Sequence, residues 1–307
     1  MSKYRSTTYW ADKAWAVARA FLVIGICYII LYPLLVKFSS SLMSPDDLYD
    51  VSVKWIPRRF SLANVVKNYQ LLYNELNYGI ALLSSLGLAI LVATLQLIAC
   101  TVYGYGFARF SYFGSGLVFA LVILTLLVPP QMIMIPVFLN FRYFNLFGLI
   151  SKPINLIGSI WPFILTSITG MGLKNGLFIY VMRQVFKGQP KSLEEAALVD
   201  GAGPIRTFVT IMLPGARSAM LIVFLFAFVW QYNDYFLTSM FLKNTSTLLP
   251  FQLDLLTSKL GVYDYNDDYV SLVTNTGMLM FIAPLLVIFA FLQRYFVESI
   301  ERTGIVG

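Results

Sequence analysis

The sequence contains no histidine, only two cysteines and few charged residues. Without histidine there is no Ser-His-Asp or Cys-His catalytic arrangement and no histidine-ligated metal site. Cys27 and Cys100 both lie in apolar stretches, so neither a disulfide framework nor a thiolate metal site is indicated. The G-x-x-x-x-G-K-[ST] pattern of nucleotide-binding loops is also missing. The chain is therefore not expected to hydrolyse ATP by itself.

Charged residues are scarce in this chain, and hydrophobic residues are abundant. Charged residues make up 12% of the 307 positions and hydrophobic residues 58%, whereas a soluble domain has roughly 25% charged residues. The mean hydropathy is +0.74. The composition indicates an integral membrane protein. The net charge of +7 comes from basic residues scattered between apolar runs, which membrane topology explains better than nucleic-acid binding.

Six apolar runs are long enough to cross a hydrocarbon core, which needs about 20 residues. They occupy residues 15–38, 78–108, 116–140, 154–186, 218–242 and 270–297. The sequence thus predicts an all-α membrane protein with six transmembrane helices. A modest bias of basic residues places both termini in the cytoplasm. Residues 1–14 form the cytoplasmic N-terminus, 15–307 the membrane domain and 298–307 a cytoplasmic tail, with extracytoplasmic loops at 39–77 and 243–269.

Glycine and proline mark special positions within these runs. Gly104 and Gly106 predict close approach of the second span to a neighbouring helix. The Pro129–Pro130 pair predicts a kink in the third span. Gly170 and Lys174 interrupt the apolar character of the fourth span.

Residues 190–214 form a long polar segment between two apolar runs. A capping box of Ser192 and Glu195 predicts a helix start. Gly201 suits the left-handed residue that follows a helix end, Pro204 suits the first turn of a second helix, and Pro214 would end that helix. The side chains that the first helix is expected to bury are Leu193, Ala196, Ala197 and Val199.

This segment resembles the EAA loop of permease subunits in bacterial ABC importers. The matching signature residues are Glu195, Ala196, Ala197, Asp200, Gly201, Ile211, Leu213 and Pro214. In that family the loop docks into a cleft on a separate ATPase subunit and transmits its closure to the membrane helices. The alternative is a helical hairpin with only a structural role.

The resemblance extends along most of the chain. YGYGFARF (103–110), WQYNDYF (230–236) and the tail from 293 to 307 resemble segments of maltose-transporter-type permeases. The resemblance implies a type I ABC importer permease fold with a cytoplasmic EAA coupling helix. It also implies an oligosaccharide substrate, no cofactor and a multi-pass protein of the bacterial plasma membrane. The implied partners are a second permease subunit in a heterodimer, two ATP-binding subunits and an extracellular solute-binding lipoprotein.

Polar side chains within the spans are candidates for the substrate pathway. On a helix through the fifth span, Trp230, Gln231 and Asp234 share one face, with Tyr235 beside it. Aromatic, amide and carboxylate groups suit the ring surface and hydroxyl groups of a sugar, and Asn233 is a further candidate. The alternative is hydrogen bonding between helices. Lys174 is expected near the middle of the membrane, where a cation faces water or the bundle interior. It would either line the pathway or pair with Asp234.

Two other functions compete with this interpretation. Asp234 and Lys174 could be coupling sites of an ion-coupled secondary transporter, although such folds usually contain repeats of broken helices in two halves, and no clear repeat is visible. An intramembrane enzyme is disfavoured, because the chain has no histidine and no clustered carboxylate pair.

The topology predicts which positions a membrane-impermeant thiol reagent reaches from outside intact cells. Single cysteines introduced at Asn64 and Asn266 should react, because both lie in the expected outer loops. A cysteine at Lys191 should not react until the membrane is permeabilised. Labelling of position 191 from outside would contradict the orientation.

Overall fold

The regular elements of the computed structural model are helices, as the sequence predicts. The structure describes residues 7–44, 46–47, 50, 53, 56–58, 60–146, 148–149, 152–242, 247–262 and 267–304. Its helices are α1 (Thr7–Ser41), α2 (Leu62–Glu75), α3 (Tyr78–Arg109), α4 (Ser115–Leu127), α5 (Met134–Arg142), α6 (Trp161–Ile168), α7 (Asn175–Gly188), α8 (Lys191–Val199), α9 (Pro204–Thr207), α10 (Leu213–Gly215), α11 (Arg217–Asn233), α12 (Phe236–Leu242), α13 (Leu249–Val262) and α14 (Asp267–Gly304). A 3-10 helix, Pro130–Ile133, precedes α5, and a π-helical turn, Phe208–Met212, joins α9 to α10. In these residues extended pairing is limited to one isolated antiparallel bridge between Phe144 and Ile154.

Three helices of the described residues are long and apolar enough to cross a membrane unbroken. These are Tyr9–Ser41, Tyr78–Arg109 and Tyr269–Gln293. Two bent helix pairs bring the number to five if each pair is one span. By length and composition the described helices therefore supply between three and five spans, where the apolar runs predicted six.

The predicted third span is broken rather than kinked. Helix α4 ends at Leu127, and the chain turns by 102° before continuing through Pro130–Arg142. Val128 and Pro129 are both extended, with ψ angles of 113° and 137°. Each of these residues precedes a proline, whose ring disfavours helical ψ at the preceding position. Two consecutive prolines therefore interrupt the helix completely.

The predicted fourth and fifth spans are also interrupted. Residues 169–174 separate α6 from α7, and the backbone there passes through left-handed conformations at Gly170 (φ +75°) and Lys174 (φ +62°). Helix α11 ends at Asn233, and Asp234 is extended with a ψ of 109° before α12 begins. The continuous helix assumed for 218–242 is therefore wrong at Asp234.

The chain divides into two compact units, and the first comprises Met1–Tyr78 with Leu253–Pro284. The predicted outer loops contain helices α2 and α13, so they are more regular than expected. Within the first unit these helices pack with α14 around a buried aliphatic cluster. Its members are Leu72, Leu76, Leu256, Leu260, Leu272 and Val273. Burial of these side chains explains why the segments fold into helices.

The second unit comprises Gly79–Gln252 with Leu285–Gly307, and α3 passes through it as the longest complete helix. Its C-terminal half lies against α7. A Cβ atom at Gly104 would lie 2.5 Å from Met182 Cβ and 2.9 Å from the backbone nitrogen of Arg183. Gly104 is therefore needed for this contact, as predicted. A Cβ atom at Gly106 would meet nothing within 4 Å, so the same prediction for Gly106 is wrong.

These two glycines provide a matched test of the packing between α3 and α7. Gly104→Ala should lower the free energy of unfolding by about 1–3 kcal/mol, the usual cost of overpacking. Gly106→Ala should be neutral or slightly stabilising, because alanine favours the helix and its methyl group faces open space. Thermal unfolding of the purified protein in detergent measures both. Equal behaviour of the two variants would contradict the close approach at Gly104.

Candidate functional site

The EAA segment (residues 190–214) folds as two short helices joined by a tight turn. Gly201 has a φ of +80°, and its N–H donates to Leu198 O at 3.0 Å. The N–H of Ala202 donates to Ala197 O at 2.9 Å. This pair of bonds is the Schellman arrangement at a helix end. Gly201 is therefore the left-handed residue after the helix end, as predicted. Pro204 occupies the first position of α9, also as predicted.

The predicted capping box of Ser192 and Glu195 is wrong. Helix α8 begins at Lys191, and Pro190 takes the N-cap position with an extended ψ of 132°. Pro190 has no hydroxyl or carboxylate with which to cap, and the helix start has no side-chain cap. Pro214 lies within α10, one residue before that helix ends at Gly215.

Most of the apolar surface of the EAA segment faces outward. Ala197 is buried as predicted, whereas Leu193, Ala196 and Val199 are exposed. Val199 is 88% exposed, and Ile205 on the second helix is 81% exposed. The prediction of burial failed because the described chain places no surface against this side of α8. Of the other signature residues, Glu195 and Asp200 are exposed, and Ile211, Leu213 and Pro214 are half-buried.

The opposite side of α8 is fixed to the end of α3 by Glu194. The Glu194 carboxylate forms an ion pair with Arg109, with Nε and Oε1 3.2 Å apart. The same Oε1 atom accepts a hydrogen bond from the Tyr105 hydroxyl at 3.0 Å. The side chains of Arg109 and Glu194 are 5% and 17% exposed. Sequence reasoning selected the neighbouring Glu195 and missed Glu194. Arg109, the cation near the end of YGYGFARF (103–110), was the sequence signal that could have pointed to Glu194.

Further contacts hold the two ends of the EAA segment together. The Arg109 guanidinium donates through Nη2 to Gln189 O at 2.8 Å. Gln189 Nε2 in turn donates to Met212 O at 3.2 Å. The Tyr105 ring packs against Phe208, with centroids 4.6 Å apart. The contacts of Gln189 thus link the residues that precede α8 to the π-helical turn that follows α9.

A cavity of about 1050 Å³ lies in the second unit. Helix α4, the break at Pro129–Pro130, the break between α6 and α7, and α12 supply most of its wall. Lys174 is the one charged side chain among the described lining residues. Its left-handed backbone is unusual for a residue with a Cβ, and such strain persists only where the surrounding structure holds it. Its exposed ammonium group lies 6.0 Å from the centroid of the Trp230 ring.

Two buried amide side chains lie next to the α6–α7 break, and one of them, Asn175, lines the cavity. Asn175 Nδ2 donates to Ser167 O at 3.2 Å, and a Cβ atom at Gly172 would lie 2.7 Å from Gln96 Nε2. Gln96 and Asn175 are each 1% exposed. The amides therefore pack tightly against the glycine that the break requires.

The other predicted pathway residues do not line the cavity. Trp230 is stacked against Phe178, with ring centroids 5.5 Å apart. Gln231 is buried and donates to Thr238 Oγ1 at 3.4 Å. Asn233 is exposed and donates to the carbonyl of its own helix at Val229, at 2.7 Å.

Asp234 caps the start of α12. Its carboxylate accepts from the backbone N–H groups of Leu237 and Thr238 at 3.3 and 2.8 Å. It also accepts from the Thr238 hydroxyl at 2.8 Å. The structure therefore places Asp234 and Lys174 in separate contacts rather than in an ion pair.

Comparisons with known proteins agree with the sequence resemblance. The family described as binding-protein-dependent transport system inner membrane component matches residues 100–302. The osmoprotective compounds uptake permease protein GgtD of Synechocystis sp. is 31% identical over 299 residues, covering 96% of this chain and 93% of GgtD. The maltodextrin transport system permease protein MalD of Streptococcus pneumoniae is 26% identical, covering 92% of each chain.

A solved structure shares the fold. A chain in the crystal structure of a bacterial ABC transporter involved in the import of the acidic polysaccharide alginate superposes with a TM-score of 0.73 at 20% identity. The match covers 96% of this chain and 100% of the other. The predicted resemblance is thus confirmed: the chain belongs to the family of binding-protein-dependent transport system inner membrane components, the permease subunits of bacterial ABC importers.

Proposed function

We propose that this chain is the transmembrane subunit of an ATP-driven importer that translocates an oligosaccharide across the bacterial plasma membrane. The observation that carries the proposal is the EAA segment, which is fixed to α3 on one side and presents exposed apolar residues on the other. A member of the permease family with such a surface is suited to docking a separate ATPase subunit. In this proposal the chain provides the route for the oligosaccharide, and the partner subunit hydrolyses ATP.

Six spans with both termini in the cytoplasm are the proposed topology. Three unbroken helices and the bent pair of Ser115–Leu127 with Pro130–Arg142 supply four spans. Helices α11 and α12 would form another, because Pro204–Gly215 of the second bent pair belongs mostly to the EAA segment. Helices α6 and α7, separated by residues 169–174, would form the sixth as another broken span. Residues 1–14 and 298–307 would then lie in the cytoplasm, and 15–307 would be the permease domain with its EAA coupling helix.

The coupling surface is proposed to comprise the exposed residues of the EAA segment and the signature residues that shape it. Val199 and Ile205 are the most exposed apolar side chains of its two helices, and burying them on a partner would favour association. Glu195 is exposed beside them and is available to a basic group of that partner. The full proposed set is Glu195, Ala196, Ala197, Asp200, Gly201, Ile211, Leu213 and Pro214.

The substrate class rests on the relatives and on the cavity. MalD is named for maltodextrin transport, and we infer an oligosaccharide for this chain. Lys174 would bind hydroxyl or carboxylate groups in the cavity, and Trp230 would hold its ammonium group in place. Gln231, Asn233 and Asp234 would stabilise the neighbouring ends of α11 and α12, beside the pathway.

The proposed assembly contains a second permease subunit, two ATP-binding subunits and an extracellular solute-binding lipoprotein. Helix α1 is consistent with the second permease, because the apolar window of Tyr9–Ser41 contains no residue buried within this chain. An ion-coupled secondary transporter is the less favoured function, since the family is one of ABC permeases.

Transport by the purified complex in liposomes should require ATP and persist when ion gradients are collapsed. Gly201→Val should abolish uptake, because a β-branched residue at positive φ costs about 1–2 kcal/mol and disfavours the turn. Glu195→Lys should lower uptake at least tenfold by reversing charge at the docking surface. Both variants should insert into the membrane but retain less ATPase subunit, measured by co-purification.

Gly203→Ala is the matched control for Gly201→Val. Gly203 has a φ of −71°, and a Cβ there would meet nothing within 4 Å, so the turn should be preserved. Normal uptake and subunit stoichiometry in both Gly201→Val and Glu195→Lys would contradict the docking role. Uptake driven by an ion gradient without ATP would instead support the secondary transporter.

Lys174→Met should lower uptake while leaving complex assembly and basal ATP hydrolysis intact. The substitution keeps the side-chain length, leaves the backbone strain unchanged and removes the charge that faces the cavity. Lys174→Arg should retain more transport, because it keeps the cation. Uptake rates and ATP hydrolysis rates of the same preparations distinguish a loss of transport from a loss of ATP hydrolysis. Loss of assembly in Lys174→Met, restored by adding Asp234→Asn, would favour a structural pair.

A further inference from the structure

The inward side of the EAA segment contacts the rest of the chain, whereas the proposed docking side is exposed. Glu194 and Ala197, three positions apart on α8, face inward, while Glu195 and Val199 face outward. The inward contacts are made with α3, which is distant in sequence. The covalent neighbours of the segment are α7 and α11. The noncovalent contact with α3 therefore adds a third connection to the membrane helices.

Arg109 connects three parts of the chain through one guanidinium group. It is the last residue of α3, pairs with Glu194 in α8 and donates to the carbonyl of Gln189 directly after α7. A planar guanidinium presents several donors in fixed directions. A displacement of α8 relative to α7 would therefore change the geometry at Arg109.

The last turns of α3 also contact the cavity wall. Tyr105 contacts the EAA segment through Glu194. Two residues earlier, the Tyr103 hydroxyl donates to Ile168 O at 2.8 Å, at the end of α6. A Cβ atom at Gly170 would lie 3.0 Å from the Tyr103 ring, and Tyr103 itself lines the cavity. Neighbouring tyrosines on one helix thus touch the EAA segment and the α6–α7 break.

We propose that Arg109, Glu194 and Tyr105 are positioning residues that transmit displacement of the EAA segment through α3 to the cavity wall at the α6–α7 break. The inference rests on the proposed coupling to an ATPase and deepens it by naming the route. It assigns Glu195 to docking on the partner and Glu194 to transmission within the chain. Loss of Arg109 should uncouple the cavity from the ATPase without removing the docking surface.

The test uses the assembled complex and a reporter that needs no knowledge of the substrate. Lys174→Cys is introduced in a Cys27→Ser, Cys100→Ala background, and a water-soluble maleimide measures its labelling rate with and without ATP plus vanadate. The parent should change its labelling rate at least fivefold on nucleotide trapping. Arg109→Met should reduce this change below twofold, while co-purified ATPase subunits stay at the parental stoichiometry.

Three further variants separate transmission from a structural role. Arg109→Lys should retain a larger response than Arg109→Met, because an ammonium can still pair with Glu194. Tyr105→Phe removes one hydrogen bond but keeps the ring contacts, and should reduce the response about twofold even if Arg109→Met fails to fold. Lys187→Met removes a nearby exposed cation of α7 and should respond like the parent.

A full response in Arg109→Met would overturn the inference, and so would no nucleotide response in a parent that binds its ATPase subunits. Loss of the ATPase subunits from Arg109→Met would also overturn it, since the pair would then serve docking. Failure of the parent itself to bind ATPase subunits would instead contradict the proposed function.

Discussion

Every backbone N–H and C=O group inside a bilayer needs a partner within the protein, because hydrocarbon offers none. This constraint governs the breaks that interrupt the predicted spans. At the end of α11, the Asp234 carboxylate takes up the N–H groups of Leu237 and Thr238. At the end of α6, the Met171 N–H donates to Thr166 O at 2.9 Å. These backbone N–H groups at the breaks are therefore hydrogen-bonded within the chain, so the breaks can persist beside a cavity.

The need to pair buried polar groups also applies to the Arg109–Glu194 ion pair. Replacing a buried ion pair by apolar residues is often neutral or stabilising, whereas removing one partner costs about 3–5 kcal/mol. We therefore attribute the value of this pair to position rather than to net stability. It fixes one side of α8 so that the opposite side, with Val199 and Ile205, stays exposed in a defined orientation. A docking partner would then act on a segment already connected to α3.

The class of protein and the turn within the EAA segment could be predicted from the sequence, whereas the start of α8 and most of its buried face could not. Composition alone excludes histidine chemistry and indicates a membrane protein. Gly201 and Pro204 act through their own backbone preferences, so their positions predict the turn and the second helix start whatever surrounds them. The spacing of the signature residues around them resembles the EAA pattern of the permease family, and this resemblance pointed to the family. The Pro129–Pro130 pair likewise predicted a kink, but not the complete break that the structure has.

Tertiary structure decided which side chains meet. Local sequence does not distinguish the adjacent residues Glu194 and Glu195. Only the position of Arg109 at the end of α3 decides that Glu194 forms the buried ion pair while Glu195 stays exposed. Asp234 became a helix cap because α11 ends before it, which apolar periodicity cannot reveal. Lys174 faces a cavity because three broken segments surround it. These outcomes depend on contacts between residues far apart in sequence, whereas propensity and periodicity report only on neighbours along the chain.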